Sequence, residues 1–418
     1  PISKVSVRPS SGDDGDVSAA RFSTSLLDCI LFENNWSELM SLANAWSEGC
    51  GTVFYKIVWD PYKGKQLDDK GKVYEGDVCI SVVPPFEIFP DSLAVSDINE
   101  QSSIIHAKVY STSDVKLLWG KEVKGESVSV FSLDNAQVLG GFGYSATVPK
   151  MISETKSDSV VVIEYYERPS AEHPEGRLII VAGDELLHYG ELPYKNGANG
   201  QRTYPFCKQT CLETIGAFFG TSVIERIIPV QRAYNIVKNR KHEFMNRIAM
   251  GVLAVEDGSV DTDNLEEEGL SPGKVLIYRQ GSNPPILLNP GQVPADFHIE
   301  EERLLSEFIM ISGVSEVTTY SQVPSNVSSG TAISLLLEQD DTRISLTADS
   351  LRNCVREVGK HILRLYRQFA KTTRVKRIAG DNGEIELKAF CASDLRGDDL
   401  VFDTANELED TNASRKAM

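Results

Sequence analysis

Residues 313–340 read GVSEVTTYSQVPSNVSSGTAISLLLEQD. Between Gly313 and Gly330 the chain offers Thr318, Thr319, Tyr320, Ser321, Gln322, Pro324, Ser325, Asn326, Ser328 and Ser329, with a single charge at Glu316 and little apolar bulk. A long uncharged segment within a compact protein is either functional or disordered. From Thr331 the pattern turns helical and stays so to about Lys371. Leu351, Val355, Val358, Ile362, Leu365 and Phe369 repeat at 4-3-4-3-4 spacing, and Arg352, Arg356, Lys360, Arg364 and Arg367 occupy the opposite face. Such a helix, about 40 residues at about 1.5 Å each, spans roughly 60 Å, too long for an ordinary domain.

Working upstream, Ser222-Val223-Ile224-Glu225 is a capping box that starts a helix running to about Met250. Pro229 should bend it. Between Glu225 and Arg247 it carries two acids and six Lys/Arg. Short strands are expected at 252–255, 274–278 and 286–288, punctuated by Pro284-Pro285, Pro290-Gly291 and Pro294. This insert holds Glu256, Asp257, Asp261, Asp263, Glu266, Glu267 and Glu268 against Lys274 and Arg279. A second helix, about 295–312, ends at Gly313 and carries Asp296, Glu300, Glu301, Glu302 and Glu307 against Arg303.

The first half reads as α+β. One helix is expected over 17–49, stopped by Gly49 and Gly51, then strands at 52–59 and 77–83 flanking the turn Asp60-Pro61-Tyr62-Lys63-Gly64. Pro84 to Asp91 reads as an extended corner, and 113–119 as a short helix closed by Gly120. The clearest strands of 125–215 are 160–166 and 177–181; 384–390 is strand-like, followed by an acidic tail. Trp36, Trp46, Trp59 and Trp119 are expected as core or interface anchors.

The chain has 418 residues, 41% hydrophobic and 24% charged, enough to bury a large core. Its net charge of −18 excludes a uniformly basic nucleic-acid clamp. No run of about 18 apolar residues gives a transmembrane span, and Pro1-Ile2-Ser3-Lys4 opens without an apolar signal region or Met, so a truncated start is expected. Seven dispersed cysteines suggest reduced, mostly buried thiols.

No enzyme motif stands. Gly269-Leu270-Ser271-Pro272-Gly273-Lys274 is one residue short of a phosphate loop, and Val275 stands where a Ser or Thr would hold magnesium. Gly140-Gly141-Phe142-Gly143 lacks the third glycine of a dinucleotide site. Cys207 and Cys211 have no Cys-x-x-Cys or His-x-x-x-His partner, and the six histidines are isolated. No catalytic residue, cofactor or metal is expected. A site assembled only in space remains the enzyme alternative.

The order of these pieces resembles the portal (head-to-tail connector) proteins of tailed bacteriophages, most like the short-tailed type. The resemblance rests on Gly313-Val314-Ser315-Glu316-Val317 with Ser328-Ser329-Gly330-Thr331-Ala332, on Gly220-Thr221-Ser222 with Gln231 and Asn235, and on Val83-Pro84-Pro85-Phe86-Glu87 with Pro90-Asp91. It covers about residues 50–405. It implies an α+β portal fold: a wing at 1–215, stem helix one at 216–250, a small β-containing clip at 251–293, stem helix two at 294–313, a tunnel loop at 314–330, a long wing helix at 331–371, and at 372–418 the wing with the start of a crown, expected to be truncated. It further implies a dodecameric ring at one capsid vertex of the virion, assembled in the host cytoplasm. The ring would conduct double-stranded DNA and meet terminase, tail adaptors and capsid or scaffolding proteins, with no membrane and no enzymatic activity of its own.

Charge agrees with that implication. A tunnel for moving DNA must not grip phosphates spaced about 1.7 Å apart, and Thr318, Thr319, Tyr320, Ser321, Gln322, Asn326, Ser328 and Ser329 would line it as neutral polar groups. Lys238, Arg240, Lys241 and Arg247 form either a cationic belt near DNA or, the preferred reading, pairs with Glu300, Glu301, Glu302 and Glu307 of a neighbouring subunit. Asp257, Asp261, Asp263, Glu266, Glu267 and Glu268 would dock terminase; the plain alternative is a solvated acidic turn. The rival readings of the whole are a soluble hydrolase or transferase and another virion adaptor or scaffold protein.

Overall fold

The computed structural model describes residues 5–67, 73–130, 154–250, 252–258, 277, 279–281, 283–284, 286–288, 294–313, 330–379, 385–395 and 397–402. Among the described residues the α-helices are α1 (Asp14–Glu33), α2 (Trp36–Cys50), α3 (Thr112–Trp119), α4 (Val223–Met250), α5 (Asp296–Ser312) and α6 (Gly330–Phe369). The chain divides into two units, Pro1–Val223 with Ile344–Met418, and Ile224–Arg343.

In the first unit the strand Thr52–Asp60 is buried almost without alternation because both its faces are covered. Successive side chains point to opposite sides of a sheet. Val53, Tyr55 and Ile57 enter one core with α1, α2 and α6, while Phe54 enters a second with Val83, Phe206 and Phe218. This strand is the middle of a three-stranded antiparallel sheet, between Phe206–Thr210 and Asp77–Val83. The second core lies against an antiparallel sheet of Ile88–Pro90, Ser103–Ser111, Glu154–Glu167, Arg177–Ala182 and Glu185–Gly190, with Glu126–Val130 also pairing Glu154–Glu167. Helices and antiparallel strands together make the chain α+β, as expected.

The α6 stripe behaves as its spacing dictates: Val355, Val358, Ile362 and Leu365 are buried in the first core, with Leu351 and Phe369 packed on its edge. The expected short helix is α3, closed by Gly120 at φ 69°. Trp36 and Trp46 are buried, Trp59 stacks on Phe369 at 5.2 Å, and Trp119 meets Tyr110 edge-on at 5.8 Å. All four are packing residues.

Several expectations are corrected. The single helix over 17–49 is two, broken at Asn34-Asn35, where Asn35 takes φ 51°. Asparagine tolerates this left-handed conformation because its short amide bonds locally, and Asn34 Nδ2 donates to the Ile30 carbonyl at 2.9 Å. Gly51 ends α2 at φ 83°, and a Cβ there would strike the backbone of Gly220 and Thr221. The corner at 84–91 is not wholly extended: Pro85–Glu87 is a 3-10 turn. Of the seven free cysteines only Cys207, Cys211 and Cys354 are buried; Cys50 is exposed and the rest lie between. The pairing of Val5–Val7 with Leu400–Phe402 had no sequence signal, while the strand expected at 384–390 is Ile385–Phe390, paired with the unforeseen Arg374–Ala379.

The second unit holds α4, α5 and a two-stranded antiparallel pair, Val252–Ala254 with Ile286–Leu288. The strand expected at 274–278 lies outside the described residues save for 277, as do 269–274, 140–143 and the tail beyond 402.

Candidate functional site

In the second unit α4 and α5 run antiparallel, since Tyr234 meets Phe308, Lys241 meets Glu301 and Phe244 meets Phe297. Phe297, Glu301, Leu304 and Phe308 fall at 4-3-4 spacing, one face of a helix. Glu301 therefore lies on the inward stripe of an otherwise acidic helix, 8% exposed. Lys241 Nζ donates to its Oε2 at 2.8 Å, and Lys238 reaches its Oε1. His298 Nδ1 lies 3.3 Å from Lys241 Nζ, and Lys238 sits 5.4 Å from the Tyr234 ring centre. Lys238 and Lys241 thus both pair with Glu301 of their own chain, whereas the sequence reading paired them with a neighbouring subunit's acids. A buried carboxylate must be compensated where it stands.

The outer faces differ. Ile224, Ile228, Ile236 and Met245 on α4, and Ile299, Leu305, Met310 and Ile311 on α5, are exposed. Arg240 is exposed on α4, and Glu300 and Glu302 on α5. Arg303 Nε lies 3.3 Å from Glu307 and its Nη1 3.9 Å from Glu300. Arg247 is described by backbone only, at the end of α4. Asp257 is exposed in a turn at the end of Val252–Ala254. Asp261, Asp263, Glu266, Glu267, Glu268, Thr318, Thr319, Tyr320, Ser321, Gln322, Asn326, Ser328 and Ser329 lie outside the described residues.

The first unit holds a buried charge cluster that the sequence reading missed. Lys56, from the three-stranded sheet, places Nζ 2.5 Å from Glu164 Oε2 on the larger sheet. His106 Nδ1 is 3.1 Å from the same oxygen, and the Tyr166 hydroxyl donates to it at 2.7 Å. Burial alone would raise the Glu164 carboxyl. The His106 hydrogen bond and the Lys56 charge outweigh it and hold the group far below the usual carboxylate range. The cluster fastens two sheets together. Its signal was a charge set among apolar residues in each strand, Lys56 in TVFYKIV and Glu164 in VVVIEYY.

The nearest approach to a nucleophile site is Cys207 Sγ, 3.6 Å from His361 Nδ1. Burial pushes the thiol well up, and burial with the Arg364 and Lys360 charges pushes His361 down to about 3. Both groups are neutral near pH 7, the reverse of an activated thiolate–imidazolium pair. Among the described residues no group of three or more His, Cys, Asp or Glu is placed to hold a metal ion, and no helix is long and apolar enough to cross a membrane.

No curated protein matches the chain. The family model of the phage P22-like portal protein matches residues 170–393, more than half of the 418 residues. The match takes in α4, α5 and α6 entire, with the strands Arg177–Ala182 and Phe206–Thr210 before them and Arg374–Ala379 and Ile385–Phe390 after. The chain belongs to the phage P22-like portal protein family, whose members are structural, non-enzymatic components of the virion capsid.

Proposed function

We propose that this chain is one subunit of a ring at a capsid vertex, and that the ring passes double-stranded DNA during packaging and ejection. In this reading α4 and α5 are the stem, 251–293 is the clip that meets terminase and then tail adaptors, and 314–330 lines the tunnel. The strand-rich first half and α6 form the wing, which faces capsid and scaffolding proteins. The observation that carries ring formation is the outer surface of the helix pair. Eight large apolar side chains, Ile224, Ile228, Ile236, Met245, Ile299, Leu305, Met310 and Ile311, are exposed on two adjacent helices. Apolar side chains exposed in that number on two adjacent helices leave surface for a second copy to cover. The basic exposed face of α4, with Arg240, and the acidic one of α5, with Glu300 and Glu302, are complementary. A heterologous contact of this kind closes into a ring when its rotation divides the circle. Electron microscopy of the purified chain tests it: rings with a central opening wide enough for a duplex are expected, and a solitary compact particle at all concentrations overturns the reading.

A further inference from the structure

In the first unit α1 and α2 leave an open apolar groove of about 810 Å³. Leu27, Leu31 and Trp36 of the two helices line it, with Val5 of the first strand and Val355 of α6. Phe32 also lines it and is 84% exposed. The charges in its lining, Asp28 and Glu38, are both acidic. The helix α3 presents a counterpart. Its Val115 is buried in the second core, and Trp119 packs on Tyr110. These positions are four apart and share the inward face. Leu117 and Leu118 lie between them and stay outside, 83% and 58% exposed. Leu186, itself exposed, adjoins this end of the helix, since Lys121 Nζ donates to its carbonyl. Lys116 pairs with Glu122 at 2.6 Å. Lys121 meets a neutral carbonyl there and keeps its charge, Lys124 is exposed just beyond it, and the acid of α3, Asp114, lies back in the first turn.

Groove and leucine ridge lie on opposite sides of one strand. Val53, Tyr55 and Ile57 of Thr52–Asp60 point into the core that carries α1 and α2, and Phe54 points into the core that carries α3. One chain therefore cannot bring its own α3 to its own groove. Two unlike surfaces on opposite sides of a subunit make a head-to-tail contact, the kind that closes into a ring. Apolar side chains exposed on both gain by covering each other. The charges beside them are of opposite sign, acids in the groove and lysines past the ridge, and complementary charge steers and registers a contact. Copies of a chain with net charge −18 repel one another unless such local patches meet.

We propose that the groove between α1 and α2 receives α3 of the next copy, with Leu117 and Leu118 entering the groove and Lys121 and Lys124 turned toward Asp28 and Glu38. This contact rests on the ring reading above and gives it a second seam, in the first unit. Native mass spectrometry of the full chain at matched concentrations tests it, with circular dichroism as the check of fold. The unaltered chain should give rings. Leu117→Asp with Leu118→Asp should keep the helical content and raise the concentration needed for rings by about tenfold or more, because both leucines lose their burial. Glu38→Lys alone and Lys121→Glu alone should each weaken assembly, and the two together should recover it. Recovery places the two residues face to face across copies, since a strand separates them within one. If the leucine variant loses helical content, the charge exchange carries the comparison. Rings unchanged in the folded leucine variant, or charge reversals whose effects merely add, overturn the contact and leave the ring reading standing. Rings that persist while binding to capsid or scaffolding protein is lost assign α3 to that partner and also overturn it. An unaltered chain that stays solitary at every concentration overturns both.

Discussion

Lys241 Nζ and Glu301 Oε2 lie 2.8 Å apart, and the other oxygen of the same carboxylate takes Lys238. One inward-facing acid thus answers two cations on the preceding helix and sets the register of α4 against α5. The same arrangement leaves Arg240, Glu300 and Glu302 on the outer faces, where a second copy can meet them.

Removing that acid should loosen the helix pair. Glu301→Gln leaves two lysines without their shared counter-charge and is expected to cost about 2 kcal/mol, read as a lower midpoint in urea unfolding. Lys238→Gln should cost less, because Lys241 still holds the carboxylate.

Ile236 is 52% exposed on α4 and has no duty in the monomer's core. Ile236→Asp should leave helical content unchanged while weakening association, since burying an isoleucine is worth about 1.5–3 kcal/mol. Native mass spectrometry at matched concentrations reads the shift from ring to smaller species. An unaltered distribution places the interface elsewhere.

The neutral lining proposed for 314–330 has a direct test. Thr318→Lys, Thr319→Lys and Ser321→Lys together put three cations per subunit where DNA is proposed to slide, each able to hold a phosphate. Packaging in vitro should slow or stall, and added salt should relieve it. Packaging at the original rate removes the loop from the tunnel.

Glu266→Lys, Glu267→Lys and Glu268→Lys reverse three of the insert's acids. Terminase association should weaken while the assembled particle keeps its mass. Equal affinity for terminase ends the docking role of this segment.

His361 makes stability depend on pH. Burial, then the Arg364 and Lys360 charges, lower it from 6.5 to about 3. Below pH 6.5 the unfolded chain therefore binds the extra proton and the folded chain does not. Its contribution is complete above 6.5 and is lost progressively as pH falls toward 3. Over the first one and a half pH units the loss is about 2 kcal/mol. Thermal unfolding at a series of pH values should show a slope there that His361→Asn lacks.

What the sequence disclosed was what repeats. The α6 stripe from Leu351 to Phe369 and the glycine ends at Gly120 and Gly313 are periodic or conformational signals, and they fold as read. The break at Asn34-Asn35 stayed hidden because apolar spacing runs across it, from Ile30 to Trp36 and Leu39. The strands Val5–Val7 and Leu400–Phe402 are three residues each, too short to show alternation. Glu301 was legible in principle: the 4-3-4 stripe through Phe297, Leu304 and Phe308 passes through it, but four other acids on the same helix disguised it as solvated surface. Lys56 and Glu164 meet across 108 positions, a distance no local pattern reports.

The seam between Val5–Val7 and Leu400–Phe402 has a consequence for biosynthesis. Ser6 and Val401 are separated by 395 positions, so a ribosome adding about 5–20 residues per second leaves the first strand waiting roughly 20–80 s for its mate. Meanwhile residues 224–343, the second unit, have been synthesised in between. A nascent polypeptide halted before position 400 lacks this pairing. Translation order thereby withholds this seam from any chain that stops short of Leu400.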